Sequence, residues 1–186
     1  MRDTLGSPRR AARLDMALGA LLGALAFLLI YGWRTLDVTY DAWILSGYVE
    51  RDITQHYAGW LTFRDAPWQW PLGWNANLAW PAGCAVSITD SIPLVSLACK
   101  ALRAWLPETF QFFGWYTLLC YALQGVAASR LLALFVEGRW KRLLGVCLFV
   151  TAPILLERTF RHTALASQWL VLFALELLLR GRAGGN

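Results

Sequence analysis

The run MALGALLGALAFLLIYGW (Met16–Trp33) decides the fold. It holds no charge and no proline, and with Leu14 and Asp15 at its start it is long enough for one crossing of a hydrocarbon layer about 30 Å thick. Arg9, Arg10 and Arg13 precede it. A cleaved secretory signal has the same layout, but no small-x-small cleavage site follows. The run closes on Tyr31 and Trp33, residues suited to the headgroup region. We therefore read residues 14–34 as an uncleaved membrane span.

The rest of the chain agrees with that start. Hydrophobic residues make up 58% of the 186 and charged residues only 16%, where a soluble domain carries about 25% charged. Three more apolar runs read as spans: 111–136, 140–156 and 163–180. The last two are short and need their flanks to reach the minimum length, so a re-entrant hairpin is the alternative there. Basic residues cluster at the N-terminus (Arg2, Arg9, Arg10, Arg13), at EGRWKR (137–142) and at RGRAGGN (180–186). One assignment puts every cluster in the cytoplasm and leaves 35–110 and ERTFRHT (157–163) outside. The formal charge of +5 is thus a matter of topology; no basic patch with interleaved aromatics points to nucleic acid. The expected class is all-α: a polytopic membrane protein with about four spans and two amphipathic surface helices in a long first external loop. The tail from Gly181 is expected to be disordered.

Inside that loop, DITQHYAGWLTFR (52–64) has a helical period. Ile53, Tyr57, Trp60 and Leu61 share one side; Asp52, Gln55, His56, Gly59 and Thr62 share the other. Too short to cross, it is expected to lie on the membrane with its polar side in water. A Pro/Gly-punctuated stretch rich in tryptophan follows, and eight of the eleven tryptophans fall between Trp33 and Trp105. They form either an interfacial belt or a platform for sugar rings or isoprenoid units, with Trp70 a candidate contact. DSIPLVSLACKALRAWLP then reads as a second surface helix, 91–106. Leu94, Leu97, Ala98, Ala101 and Trp105 lie opposite Ser96, Lys100 and Arg103, and Asp90 stands at its start, as a helix cap or as a candidate substrate contact.

Several polar residues stand where chemistry at the outer leaflet needs them. Asp52 can act as a general base or hold a hard divalent cation such as Mg or Mn; the competing reading is an acid placed favourably at a helix N-terminus. Gln55 and His56 share its face. Arg64 is placed to reach a lipid phosphate or a bound diphosphate. Arg158, Arg161 and His162 make a cationic turn suited to phosphate, with Glu157 a candidate second metal ligand beside Asp52; the competing reading is a soluble hairpin. Two histidines without local partners argue against zinc. Cys84, Cys99, Cys120 and Cys147 have no metal spacing; an external Cys84–Cys99 disulfide is the alternative to free thiols. No phosphate loop, dinucleotide fingerprint or serine-nucleophile motif occurs.

The order of span, acid at a helix start, Trp/Pro/Gly loop and second helix resembles the GT-C superfamily of membrane glycosyltransferases. DITQHY…WQWPLGWN…WPAG is similar to the first external loop of the catalytic oligosaccharyltransferase subunit, and with DSIPL it resembles an uncharacterised bacterial GT-C-like family. The resemblance implies transfer of a sugar from a polyprenyl phosphate or diphosphate carrier at the outer face of the bacterial plasma membrane. It implies Asp52 as the first external acid, Glu157 as the second, and nearby arginines for the carrier phosphate. Full-length members have many more spans, so it also implies an N-terminal part that needs a missing C-terminal portion or partner subunit for activity. A non-catalytic module that binds or translocates the lipid carrier, or a structural subunit, are the other readings.

Overall fold

A computed structural model describes residues 8–47 and 51–183. Arg2 of the N-terminal basic cluster and Gly184–Asn186 of the tail lie outside them. The chain is all-α. In order, the helices are α1 (Pro8–Tyr31), α2 (Ala42–Leu45), α3 (Arg51–Asp65), α4 (Pro93–Ala101), α5 (Phe113–Leu132), α6 (Arg139–Val150), α7 (Pro153–Arg158) and α8 (Trp169–Ala183). Short 3₁₀ turns cover Trp33–Leu36, Val86–Thr89, Arg103–Trp105 and Thr163–Ala166. Among the described residues the only strand pairing is antiparallel, Trp74 opposite Ala85 and Asn75 opposite Cys84. Contacts divide the chain into two compact units. The first holds the stretch up to Gly32, Tyr116–Glu157 and the stretch from Ala166; the second holds Trp33–Trp115 and Arg158–Leu165.

The first unit is a helix bundle whose seam is made by glycine. Gly19 and Gly23 stand one turn apart on α1. A Cβ at Gly19 would lie 2.4 Å from the Gly125 carbonyl oxygen, and one at Gly23 would lie 2.0 Å from that of Tyr121. The α1 and α5 backbones therefore touch, an approach that small residues permit between apolar helices. Phe27 continues the seam edge-on to Tyr121, ring centroids 5.6 Å apart. Ala128, Val146 and Val150 form a small core under Leu22, Ala26 and Leu172.

Polar contacts fix the two ends of this bundle. At one end Asp15 accepts from Arg139 Nε at 2.6 Å and from Arg142, and Glu176 accepts from Arg130 at 2.8 and 3.0 Å and from Arg180 at 2.8 Å. At the other, the Tyr31 hydroxyl reaches the Leu156 carbonyl at 3.4 Å and Tyr116 meets Ser167 at 2.6 Å. The four runs thus alternate in direction and cover the same depth. From Asp15 to Tyr31 that depth is about 24 Å at 1.5 Å per residue.

Two expected spans differ in detail. The run 140–156 is broken at Thr151–Ala152 into α6 and α7, because Pro153 offers no N–H and its ring crowds the preceding turn. The run 163–180 becomes α-helical only at Trp169, since its start forms the 3₁₀ turn Thr163–Ala166, of which Thr163 to Leu165 belong to the second unit. The expected disordered tail is also corrected as far as Ala183: α8 continues through Gly181 and Arg182.

The second unit is built around α3, which is not a surface helix. Ile53, Tyr57, Trp60 and Phe63 are buried on its apolar side, and His56 is buried on the side expected to face water. The loop segments supply the reason, because they hydrogen-bond around it. Thr54 Oγ1 donates to the Ile44 carbonyl at 2.8 Å, Tyr57 to Asp41 at 3.1 Å, Trp60 Nε1 to the Phe110 carbonyl at 2.9 Å, and Asn75 Nδ2 to Thr62 at 2.9 Å. Tyr57 and Trp60 are core residues with satisfied polar tips rather than interface anchors. Burial and the Asp41 carboxylate push the Tyr57 phenol well up.

The second expected surface helix ends at Ala101 and passes through Leu102 into the 3₁₀ turn. Its two faces separate as read, but the polar side is the one packed inward. Ser96 and Lys100 are buried while Leu94 is 83% and Trp105 79% exposed. Lys100 Nζ sits 4.0 Å from the Phe63 ring centroid and 4.8 Å from that of Trp68, where ring faces stabilise the ammonium. Burial, aided by Arg103, still draws its pKa down.

Candidate functional site

Gly59 lets a tight turn approach α3. A Cβ there would fall 2.1 Å from Thr89 Oγ1 and 2.5 Å from Ser91 Oγ. In its absence Ser91 Oγ donates to the His56 carbonyl at 2.6 Å and pairs with Thr89 at 2.7 Å. Ser96 donates to the Ser91 carbonyl. Asp90 and Ile92 on either side of Ser91 are left-handed, with φ of 51° and 49°, a conformation that costs most for a β-branched residue. The turn is held in this strained form by its buried hydroxyls. Asp90 consequently does not cap α4; Ile92 precedes the helix and Pro93 opens it. The Asp90 carboxylate instead lies 3.6 Å from His56 Nε2 and 3.4 Å from the Ala164 amide.

The opposite wall comes from Arg158–Leu165. Phe160, at φ 62°, is buried against Trp43 with centroids 4.8 Å apart. This reversal turns Arg161 and His162 onto the same space as Asp90. Thr163 Oγ1, fully buried, bonds His56 Nδ1 at 2.9 Å across 107 residues of sequence.

Between these walls is a cleft of about 440 Å³ lined by Asp52, Gln55, His56, Asp90, Arg161 and His162, with Ser87, Ile88, Ala164 and Leu165. Asp52 stands in the first turn of α3, so the dipole reading and the cleft reading both apply to it. The imidazole of His56 is held below its usual pKa by burial, partly opposed by Asp90 and Asp52 and reinforced by His162. Asp90, His56 and Thr163 form an acid–imidazole–hydroxyl chain, but the hydroxyl is sealed inside. It orients the ring and cannot act as a nucleophile. The chemistry open to the cleft is proton transfer at Asp52 together with anion contact by Arg161 and His162.

Other expected residues are not brought here. Arg64 donates to the carbonyls of Pro107 at 2.7 Å, Glu108 at 2.9 Å and Leu106 at 3.3 Å. It closes the chain end after α4, so the phosphate role is corrected to a structural one. Trp70 is 84% exposed and lines no wall of the cleft; neither does Arg158, whose carbonyl accepts the His162 amide at 3.0 Å. Glu157 belongs to the first unit and is not among the residues that line the cleft. No group of three or more His, Cys, Asp or Glu suited to a metal ion occurs among the described residues, and one oxygen of Asp90 is already engaged. Cys84 and Cys99 are free thiols. The sequence reading missed Thr163 and Ser91. The small residues around Asp90 (TDS) and the lone glycine in α3 were the available signal.

A family model described as a domain of unknown function, DUF6311, matches residues 20–185. The chain belongs to the DUF6311 family. No curated protein and no solved structure matches it. The match includes every residue lining the cleft, which is thus internal to the DUF6311 domain.

Proposed function

We propose that this DUF6311 chain is the N-terminal transmembrane module of a GT-C-type glycosyltransferase, acting on a polyprenyl-phosphate- or diphosphate-linked sugar at the outer face of the plasma membrane. The observation that carries the reading is the convergence of Asp52, Gln55, His56 and Asp90 with Arg161 and His162 on one cleft.

The polytopic membrane setting has its own support. Helix α1 is long and apolar enough to cross a membrane from Arg9 to Tyr31. The bundle leaves large apolar side chains uncovered on its helices, including Leu29 at 85%, Leu148 at 70% and Val171 at 67%, far beyond the scattered exposure of a soluble surface. Its basic segments meet at one end, as a cytoplasmic rim requires. The exposed apolar face of α4 suits the outer leaflet.

In this reading Arg161 and His162 hold the carrier phosphate. Asp52 removes the proton from the acceptor hydroxyl or amide as that atom bonds the anomeric carbon. The anomeric carbon–oxygen bond to phosphate breaks in the same displacement, with inversion, and the leaving phosphate keeps its charge against Arg161. His56, neutral and clamped by Thr163, fixes the position of Asp90 on the far wall.

The test is Asp52→Asn in the full-length protein, assayed for sugar transfer from a polyprenyl carrier in membranes. We expect transfer to be abolished at unchanged expression and carrier binding. Unaltered transfer refutes the assignment. Carrier binding without transfer in the wild type assigns the cleft to a carrier-translocating module instead.

A further inference from the structure

A second cavity, of about 410 Å³, opens in the helix bundle and shares no lining residue with the cleft. Three arginines line it, Arg130, Arg142 and Arg180, along with Asp15 and the small apolar residues Ala11, Ala12 and Ala133. Its charge is not balanced. Arg130 and Arg180 share one carboxylate, Glu176, and Arg139 and Arg142 share another, Asp15. Among the described residues, these ion pairs set four guanidinium groups against two carboxylates, an excess of two positive charges. Glu176 is fully buried, while the side chains of Arg130 and Arg180 are 42% and 52% exposed. The acid therefore holds the arginines in place while part of each side chain stays open. Arg180 uses Nε on Glu176, leaving its terminal nitrogens for another acceptor.

An acceptor with one or two negative charges, several oxygens and an apolar neighbour satisfies all of this. We propose that the cavity binds the phosphate of an anionic phospholipid headgroup, with the glycerol and upper acyl carbons against Ala11, Ala12 and Ala133. Arginine forks match phosphate oxygens, and a basic pocket between helices on the cytoplasmic side is where such lipids lodge. The site anchors the bundle in a leaflet rich in acidic lipid. It rests on the proposed function's reading of the bundle as membrane-embedded with this end cytoplasmic, and on nothing about the cleft. A protein that fractionates as soluble sinks both, whereas lost lipid enrichment with sugar transfer intact concerns this site alone.

The experiment uses the full-length protein in nanodiscs of phosphatidylcholine with a minor fraction of phosphatidylglycerol. The lipid retained on extraction is read by native mass spectrometry. We expect phosphatidylglycerol to be enriched over its bulk ratio, and the enrichment to fall about fivefold in Arg142→Gln, the loss of one arginine near the surface. Ala12→Trp and Ala133→Phe fill the cavity from exposed positions and leave every ion pair intact; both should lose the enrichment while unfolding at the wild-type temperature. No enrichment in the wild type, or enrichment kept in both filled variants, overturns the proposal. Binding of inorganic phosphate without lipid enrichment would assign the same arginines to a soluble anion and overturn the lipid assignment.

Discussion

Gly59→Ala should destabilise the protein although it replaces the poorer helix former. In a free helix the change gains about 0.8–1 kcal/mol. Here the new methyl would sit 2.1 Å from Thr89 Oγ1, 2.4 Å from Thr89 Cβ and 2.5 Å from Ser91 Oγ, far inside ordinary contact of about 3.5–4 Å. Overpacking of this kind costs about 1–3 kcal/mol. The displaced atoms also carry the Thr89–Ser91–His56 hydrogen bonds, worth about 1 kcal/mol each. The net expectation is a loss of about 1–3 kcal/mol, or roughly 2–4 °C in Tm for each kcal/mol at this chain length. Thermal unfolding in detergent, followed by tryptophan fluorescence, measures it. Thr89→Ala should not rescue the variant, because the Thr89 Cβ is itself in the way; Thr89→Gly should recover part of the loss. A Gly59→Ala protein at or above the wild-type Tm would show that helix propensity wins and that the turn does not press on α3.

Other outcomes follow from the same geometry. His56 has a lowered pKa in the folded state, so its contribution to stability is present above the unfolded pKa of about 6.5 and is lost as pH falls through the folded value. Unfolding midpoints of the wild type should drop on acidification, and His56→Gln should flatten that part of the curve; parallel curves contradict this. Glu176 is held twice, so Arg180→Gln alone should cost little. Adding Arg130→Gln leaves a buried carboxylate unpaired and should cost about 3–5 kcal/mol, a strongly non-additive pair in denaturation. Gly125→Leu would drive its side chain into the Gly19 carbonyl, 1.9 Å from where the Cβ must lie. It should abolish accumulation of folded protein, whereas Leu148→Ala, on an exposed position, should leave it unchanged.

The apolar runs and their bounding charges were enough to read a helical chain with alternating basic ends, because both follow directly from composition along the chain. Helix breaks inside the runs were less legible. Pro153 was visible, but that 163–165 would belong to the second unit depends on Thr163 reaching His56, a contact across 107 residues of sequence. Periodicity located α3 and α4 to within a few residues, yet misjudged what covers them. An amphipathic pattern says which residues differ, not whether water, lipid or protein meets each side. Gly59 among the polar residues of α3 was the clue that another backbone comes close. Six of the site residues expected from Asp52 to His162 share the cleft because polar side chains from well-separated segments of the second unit meet there. Arg64 and Trp70 do not, since one guanidinium is taken by three carbonyls and one indole points away.

The most direct measurement of the central claim is photo-crosslinking with a polyprenyl phosphate that carries a reactive group beside its phosphate, followed by peptide mapping of the full-length protein in membranes. The account predicts label on the cleft wall, at Ile88 or Leu165, competed by unmodified carrier and reduced by Arg161→Gln. Label confined to segments outside the cleft, or unaffected by that substitution, would contradict it.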